Sequence, residues 1–265
     1  MYSPFQLGQR YIKYLLMASN AKGHGIHSPF VFTFITSVLN DDRHFYAYEK
    51  IESLRDVLLI NQQKLIIEDF GAGSINYKNN QRSIAGIAKS SLKPKKFGQL
   101  LFRIVDHYAS KSILELGTSL GITTAYLASA IESSLVVTME GAKSVSQVAR
   151  SNFKVLGLEN IEIIEGNFDV TLSNTIHKMG IVDMAFIDGN HRYEPTIRYF
   201  REILSAINEY SILVFDDIHW SKEMEQAWEE IKQEPLVTLS IDLFFIGIVF
   251  FRKEQKMKQN FVIRF

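Results

Sequence analysis

Two short stretches hold the densest groups of side chains able to do chemistry. One reads Asp188-Gly189-Asn190-His191-Arg192-Tyr193-Glu194, the other Asp216-Asp217-Ile218-His219-Trp220. Each follows an apolar run rich in β-branched and aromatic residues. Each therefore falls at the carboxyl end of an expected strand, the edge of an open α/β sheet where ligands gather. Asp188, Asp216 and Asp217 are a natural oxygen-ligand set for Mg²⁺ or a similar divalent cation, with water and substrate oxygens completing an octahedron. His191 lies three residues after Asp188, and an imidazole that is neutral near pH 7 suits a general base. A blander reading stands beside each. Asp caps helices in its own right, and a loop histidine can simply bond a neighbouring carboxylate. His219 is the weaker histidine, because its surroundings can serve only to direct Trp220 into a pocket.

A second constellation is glycine-rich. A nucleotide loop must leave a strand and enter a helix, so that backbone N–H groups and a close backbone approach serve the ligand. Glu115-Leu116-Gly117-Thr118-Ser119-Leu120-Gly121 follows Ser112-Ile113-Leu114 and runs into the helical pattern Ile122-Thr123-Thr124-Ala125-Tyr126-Leu127-Ala128. A competing segment, Glu68-Asp69-Phe70-Gly71-Ala72-Gly73-Ser74, leads only into Ile75-Asn76-Tyr77-Lys78-Asn79-Asn80, which shows no helical face. It reads as a turn. Glu140 ends the next strand 23 positions beyond Gly117, close to the roughly 20-residue spacing at which a carboxylate meets ribose hydroxyls. Strand, loop, helix, strand and acid in that order point to an adenosine-containing ligand.

The elements that must position these groups read as parallel βα units from about residue 113 onward. Strands are expected at 113–116, 135–140, 161–164, 182–187, 211–215, 237–243 and 247–251. Apolar Ile197, Phe200, Ile203, Leu204 and Ile207 mark one intervening helix. Met224, Ala227, Trp228 and Ile231 mark another, with Ser221 as its cap and Glu223 in its first turn. No helix-length segment separates the last two strands, so they close the sheet as an antiparallel pair. Residues before about 95 hold helical runs at 5–20, 29–39 and 45–60. The expected architecture is α/β: a three-layer, seven-stranded, mostly parallel Rossmann-like sheet with a terminal antiparallel pair and an N-terminal helical cap. The cap is assigned to residues 1–94 and the ligand-binding domain to 95–265.

Composition narrows the class. The 265 residues are 46% hydrophobic, enough for one ample core. Lys+Arg 29 against Asp+Glu 29 leaves no net charge, which argues against nucleic acid as a partner. No cysteine is present, which removes disulfides, thiolate metal sites and cysteine nucleophiles. The longest apolar stretch, residues 243–251, is too short to span a bilayer, which takes about 20 residues. A cytoplasmic protein with no membrane partner is expected, with a two-fold homodimer as the commonest oligomer.

Ile113-Leu114-Glu115-Leu116-Gly117-Thr118-Ser119-Leu120-Gly121 resembles the first motif of the class I S-adenosylmethionine-dependent methyltransferases, and Val137-Thr138-Met139-Glu140-Gly141 their second. The likeness covers roughly residues 96–252 and is nearest to metal-dependent small-molecule O-methyltransferases of the catechol O-methyltransferase type. It implies S-adenosylmethionine as cofactor, with Glu115, Gly117, Ser119 and Gly121 at its methionine end and Glu140 at its ribose. Gly166, Asn167 and Phe168 would meet the adenine. Asp188 would adjoin the cofactor as well as the acceptor. The same likeness makes His191 and Asp188 the catalytic pair, and Asp188, Asp216 and Asp217 the metal ligands. The family's usual middle glycine is Ser119 here. The implied reaction is O-methylation of a small-molecule hydroxyl. The alternatives are a nitrogen or macromolecular acceptor, or a non-catalytic module that binds the cofactor. No Asn/Asp-Pro-Pro-Tyr-type tetrapeptide follows the fourth strand, which counts against amino methylation.

Overall fold

The computed structural model describes residues 1–67 and 81–265. The competing glycine segment at 68–74 lies outside them. The fold is α/β, with a mostly parallel sheet of eight strands. The chain packs as two compact units, one made of Met1–Asp41 with Thr175–Phe265 and the other of Asp42–Asn174.

The second unit opens with helix α3 (Tyr46–Ile60) and a small antiparallel pair, β1 (Lys64–Ile66) with β2 (Gln81–Ser83). Helices α4 (Ile84–Ser91) and α5 (Lys95–Tyr108) follow. Strands β3 (Ser112–Leu116), β4 (Leu135–Glu140) and β5 (Ile161–Glu165) then pair in parallel in that order. Helices α6 (Ile122–Ala130) and α7 (Lys143–Leu156) supply the crossovers. Residues Ile113 to Leu116 are all buried, as a parallel strand covered on both faces requires. Tyr48, Ile51, Leu54 and Leu58 recur at helical spacing along α3, and they pack with Phe102 and Tyr126 into one core. Helix α8 (Phe168–Met179) follows β5.

In the first unit the strand order is β10-β8-β9-β7-β6. These are β6 (Met184–Ile187), β7 (Ile212–Asp216), β8 (Leu239–Asp242), β9 (Ile246–Phe250) and β10 (Gln259–Val262). Every residue of β6, β7 and β9 is buried. Strands β6 and β7 are parallel, and β9 inserts antiparallel between β7 and β8. The expected terminal antiparallel pair is therefore present, joined by a tight connection in which Phe244 takes φ 72°. Helices α9 (Tyr193–Ile203) and α10 (Lys222–Gln233) carry the two apolar faces read from the sequence, and the Ser221 side chain caps α10 by accepting from Met224 N.

The strands fall within a residue or two of their expected places. The eighth is the exception. Strand β10 pairs in parallel with β8 at the sheet edge, and Gln259-Asn260-Phe261-Val262 carries too little apolar character to announce it. Helix α1 (Pro4–Met17) is capped by Ser3 in a reciprocal capping box with Gln6. Its Tyr14 hydroxyl donates to Ile263 O at 2.5 Å. The expected run at 29–39 is α2 (Pro29–Phe34) continued by a π-turn over Ile35–Leu39.

Gly98 shows how tightly α5 and α6 approach. A Cβ built there would meet Tyr126 Cε2 at 2.6 Å. Gly98→Ala is expected to destabilise the fold by about 1–3 kcal/mol, overpacking outweighing the better helix propensity of alanine. Gly8 has nothing within 4 Å of its built Cβ, so Gly8→Ala is expected to stabilise by about 0.5–1 kcal/mol. Urea unfolding of both variants measures the contrast.

Candidate functional site

The glycine loop leaves β3 and enters α6, and its backbone visits the left-handed region three times: Gly117 (φ 106°), Ser119 (φ 48°) and Gly121 (φ 81°). The amides of Gly117 and Thr118 both donate to Met139 O, at 3.0 and 3.1 Å, which ties the loop to the end of β4. At Gly121 a Cβ would meet the Phe153 ring at 2.5 Å, so only glycine fits where α6 begins against α7. Ser119 tolerates its positive φ with two partners. Its amide donates to Glu140 Oε2 at 2.8 Å, and its hydroxyl shares a 2.9 Å hydrogen bond with Ser91.

Glu140 ends β4 as expected. Its second oxygen, Oε1, accepts from Ala142 N at 2.9 Å. Burial raises the Glu140 carboxyl pKa, and the backbone N–H groups of Ala142, Ser119 and Gly141 pull against it without cancelling it. Each carboxylate oxygen accepts more than one hydrogen bond. Two backbone bonds therefore fix the group while leaving it able to receive a pair of ribose hydroxyls.

Glu115 has a different place. It is fully buried, and its Oε2 accepts from Thr124 at 2.5 Å and Thr138 at 2.6 Å. Thr138 has one hydroxyl proton and spends it on Glu115. The 2.6 Å bond between Thr118 and Thr138 must then run from Thr118 as donor. Glu115 thus acts on the loop through Thr138 and Thr118. Gly166 (φ 134°) donates its amide to Glu140 O at 2.9 Å. Asn167 Oδ1 accepts from Asp169 N at 3.0 Å, and its carbonyl accepts from the amides of Val170 and Thr171. Asn167 therefore caps α8, and Phe168 is the first residue of that helix.

In the first unit Asp188, His191 and Asp216 form the one group of potential metal ligands among the described residues, their donor atoms all within 4.8 Å of one another. Asp216, the last residue of β7, is buried. His191 Nε2 lies 3.3 Å from Asp188 Oδ1. The loop that brings His191 round is left-handed at Asn190 (φ 68°) and His191 (φ 21°), and Asn190 Nδ2 donates to Tyr199 OH at 3.2 Å. Asp217 lies outside this group. It turns the chain after β7 with φ 53°, its amide donating to Phe245 O at 2.7 Å and its carbonyl accepting from Trp220 N at 2.9 Å. Of the three aspartates read from the sequence, Asp188 and Asp216 stand in this group together with His191.

His219 is held between two carboxylates, Nδ1 at 3.2 Å from Glu225 Oε1 and Nε2 at 2.8 Å from Asp242 Oδ2. Burial lowers its pKa, but the hydrogen bonds and charges of Asp242 and Glu225 outweigh that and leave it raised. With both ring nitrogens engaged it is a structural bridge, a role that no local pattern around it signals. His24 and His27 lie exposed in the connector between α1 and α2.

Residues 114–218 match the family described as a methyltransferase domain. A catechol O-methyltransferase of Niastella koreensis is 30% identical over 144 residues, 52% of this chain and 63% of that protein. The chain thus spans less than two thirds of that relative. Among solved structures, an O-methyltransferase from Bacillus cereus in complex with SAH superposes with TM-score 0.56 at 19% identity, over 83% of this chain and 97% of that one. A SAH-bound methyltransferase of Podospora anserina gives TM-score 0.59 at 14% identity, over 85% and 97%. The fold is Rossmann-like and is shared with these methyltransferase structures. The resemblance read from the two glycine and acid motifs is upheld. No helix among the described residues is long and apolar enough to cross a membrane.

The Glu140 environment yields a pH prediction. With Glu140 at the ribose, as the resemblance implies, affinity for S-adenosylmethionine is expected to be full above the raised pKa and to fall as pH drops through it. The fall begins at a higher pH than an ordinary glutamate would impose. Glu140→Ala is expected to weaken binding by about 1.5–3 kcal/mol, the range for a hydrogen bond to a charged group, and to flatten that pH dependence. Calorimetric titration from pH 4 to 8 measures both.

Proposed function

We propose that the chain transfers the methyl group of S-adenosylmethionine to a hydroxyl oxygen of a small molecule, with a divalent cation held by Asp188 and Asp216. The Asp188–His191–Asp216 group at the ends of β6 and β7 carries this reading. Methyl transfer to oxygen is a direct displacement that needs alignment, loss of the hydroxyl proton and stabilisation of the oxygen left behind. The group offers a base and two cation ligands in one place.

The residues divide the work as follows. The loop from Gly117 to Gly121, its amides bonded to Met139, Glu140 and Thr118, offers a close backbone approach to the methionine end of the cofactor, and Glu140 receives the ribose. Asp188 and Asp216 supply anionic oxygens that fit Mg²⁺, a cation that binds through one or two carboxylates and keeps positions for water and substrate. When bound, such a cation lowers the pKa of a hydroxyl that ligates it. His191 takes the hydroxyl proton at its imidazole and then shares it with Asp188, 3.3 Å away. That assignment keeps His191 out of the inner ligand sphere, since an imidazole bound to metal has no lone pair for a proton. Asp188 supports the charge His191 acquires.

Asp216→Asn is expected to abolish Mg²⁺ binding in calorimetry while S-adenosylmethionine still binds. EDTA should stop transfer of radiolabelled methyl from the cofactor into the low-molecular-weight fraction of cell extract. Full transfer after EDTA would remove the cation from the reading, and label found in macromolecules would overturn the small-molecule acceptor.

A further inference from the structure

The turn that follows Asp216 is built from distant parts of the first unit. Asp217 N donates to Phe245 O, and Trp220 N donates to Asp217 O. Tyr2 N, at the start of the chain, donates to Trp220 O at 3.0 Å. Between Asp217 and Trp220 stand Ile218, which is buried, and His219. The His219 ring stacks on Phe244 with centroids 5.1 Å apart and planes at 27°.

The partners of His219 lead outward to helix α1. Asp242 at the end of β8 is fixed by Phe244 N, which donates to its Oδ1 at 2.8 Å. Glu225 on α10 is fixed by α1. Arg10 Nη1 donates to its Oε1 at 2.6 Å, and the Tyr2 hydroxyl donates to its Oε2 at 2.7 Å. The Arg10 guanidinium also lies over the Tyr2 ring, 3.9 Å from its centroid. Helix α1 is itself anchored by Tyr11 and Tyr14 against Phe244 and by the bond from Tyr14 to Ile263 O. A continuous chain of contacts thus runs Arg10, Glu225, His219, and then the turn on which Asp216 ends.

We propose that Arg10 is a positioning residue and that helix α1 is a brace for the β7 turn. Through Glu225 and His219 it sets where the Asp216 carboxylate stands. This deepens the proposed function, since it makes the cation affinity of Asp188 and Asp216 depend on a helix that supplies no ligand. The physical reason is the backbone of the turn. Asp217 is a non-glycine residue at positive φ, a conformation that costs on the order of 1 kcal/mol and persists only where its surroundings over-determine it. Amide bonds from Tyr2 and to Phe245, together with the clamped His219 ring, provide that determination. With Arg10 gone, Glu225 loses its closest cation and the clamp loosens at one end.

The test uses the full chain with Arg10→Met, which keeps the bulk of the side chain, and Arg10→Lys, which keeps its charge. Amide hydrogen exchange is followed by mass spectrometry over 217–220, with Mn²⁺ and S-adenosylmethionine affinities from calorimetry. Arg10→Met is expected to speed exchange in 217–220 at least several-fold and to weaken Mn²⁺ binding by about 3- to 10-fold. That is less than the 10- to 100-fold of a residue bonded directly to a ligand. Cofactor affinity and exchange in β3 to β5 should stay unchanged, and Arg10→Lys should recover part of the loss. Unchanged exchange in 217–220 overturns the brace. So does faster exchange spread evenly over the chain, or a loosened turn with Mn²⁺ affinity intact. If the wild-type chain binds no Mn²⁺, the cation reading falls on its own account, and local exchange in 217–220 alone decides the brace.

Discussion

A strand that ends at a functional edge must turn within a few residues, and in this protein the turns pass through the left-handed region of the backbone. Gly117, Ser119 and Gly121 make the turn after β3, Asn190 and His191 the turn after β6, and Asp217 the turn after β7. Four of these six are not glycine. Such residues need compensating partners, and three of the four bond close by. Ser119 bonds Glu140, Asn190 bonds Tyr199, and Asp217 bonds the backbone of Phe245 and Trp220. Ser119, His191 and Asp217, which shape these turns, are also candidate site residues, so the same residues set the backbone and carry the candidate chemistry.

Buried polar groups serve the same end in the glycine loop. A buried carboxyl is costly unless it is hydrogen-bonded, and Glu115 Oε2 accepts from the hydroxyls of both Thr124 and Thr138. Because Thr138 donates to Glu115, Thr118 can only donate to Thr138. The proton arrangement is thus settled by counting hydrogens. A network with one arrangement holds the loop in one conformation, so a ligand that binds there loses less ordering entropy. Val at position 138 would match threonine in shape and lose this link, which separates packing from hydrogen bonding at one site.

Most of the strand plan was legible because buried parallel strands announce themselves as apolar runs, and Gly117, Gly121 and Glu140 because strand, loop, helix and acid follow one another in order. Three features were hidden for identifiable reasons. Strand β10 is an edge strand whose pairing to β8, rather than its composition, makes it a strand. The close approach of His191 to Asp188 and Asp216 depends on the φ of single residues, Asn190 and His191 among them, which a sequence does not display. The cap was read from its helices, yet the tie that matters, Tyr14 to Ile263, joins residues 249 positions apart. No local pattern encodes a contact of that span. Arg10 and His219 look like ordinary surface residues until Glu225 is seen between them.

The two histidines of the strand-end loops show how environment, more than residue type, divides roles. Both lie three positions beyond an aspartate at or just after the end of a strand. His219 has a carboxylate on each ring nitrogen, so it has no free lone pair to take a proton from a substrate and no free N–H to give one. His191 has one carboxylate, on Nε2, and its ring remains partly exposed. A general base needs one nitrogen oriented by the protein and access to the acceptor at the other or through exchange at the first. His191 meets that need. The sequence already favoured His191, on its place after Asp188, but it did not show what occupies His219. The choice rests on Glu225, a residue contributed by α10 and held by α1, which removes His219 from the chemistry by occupying its second nitrogen.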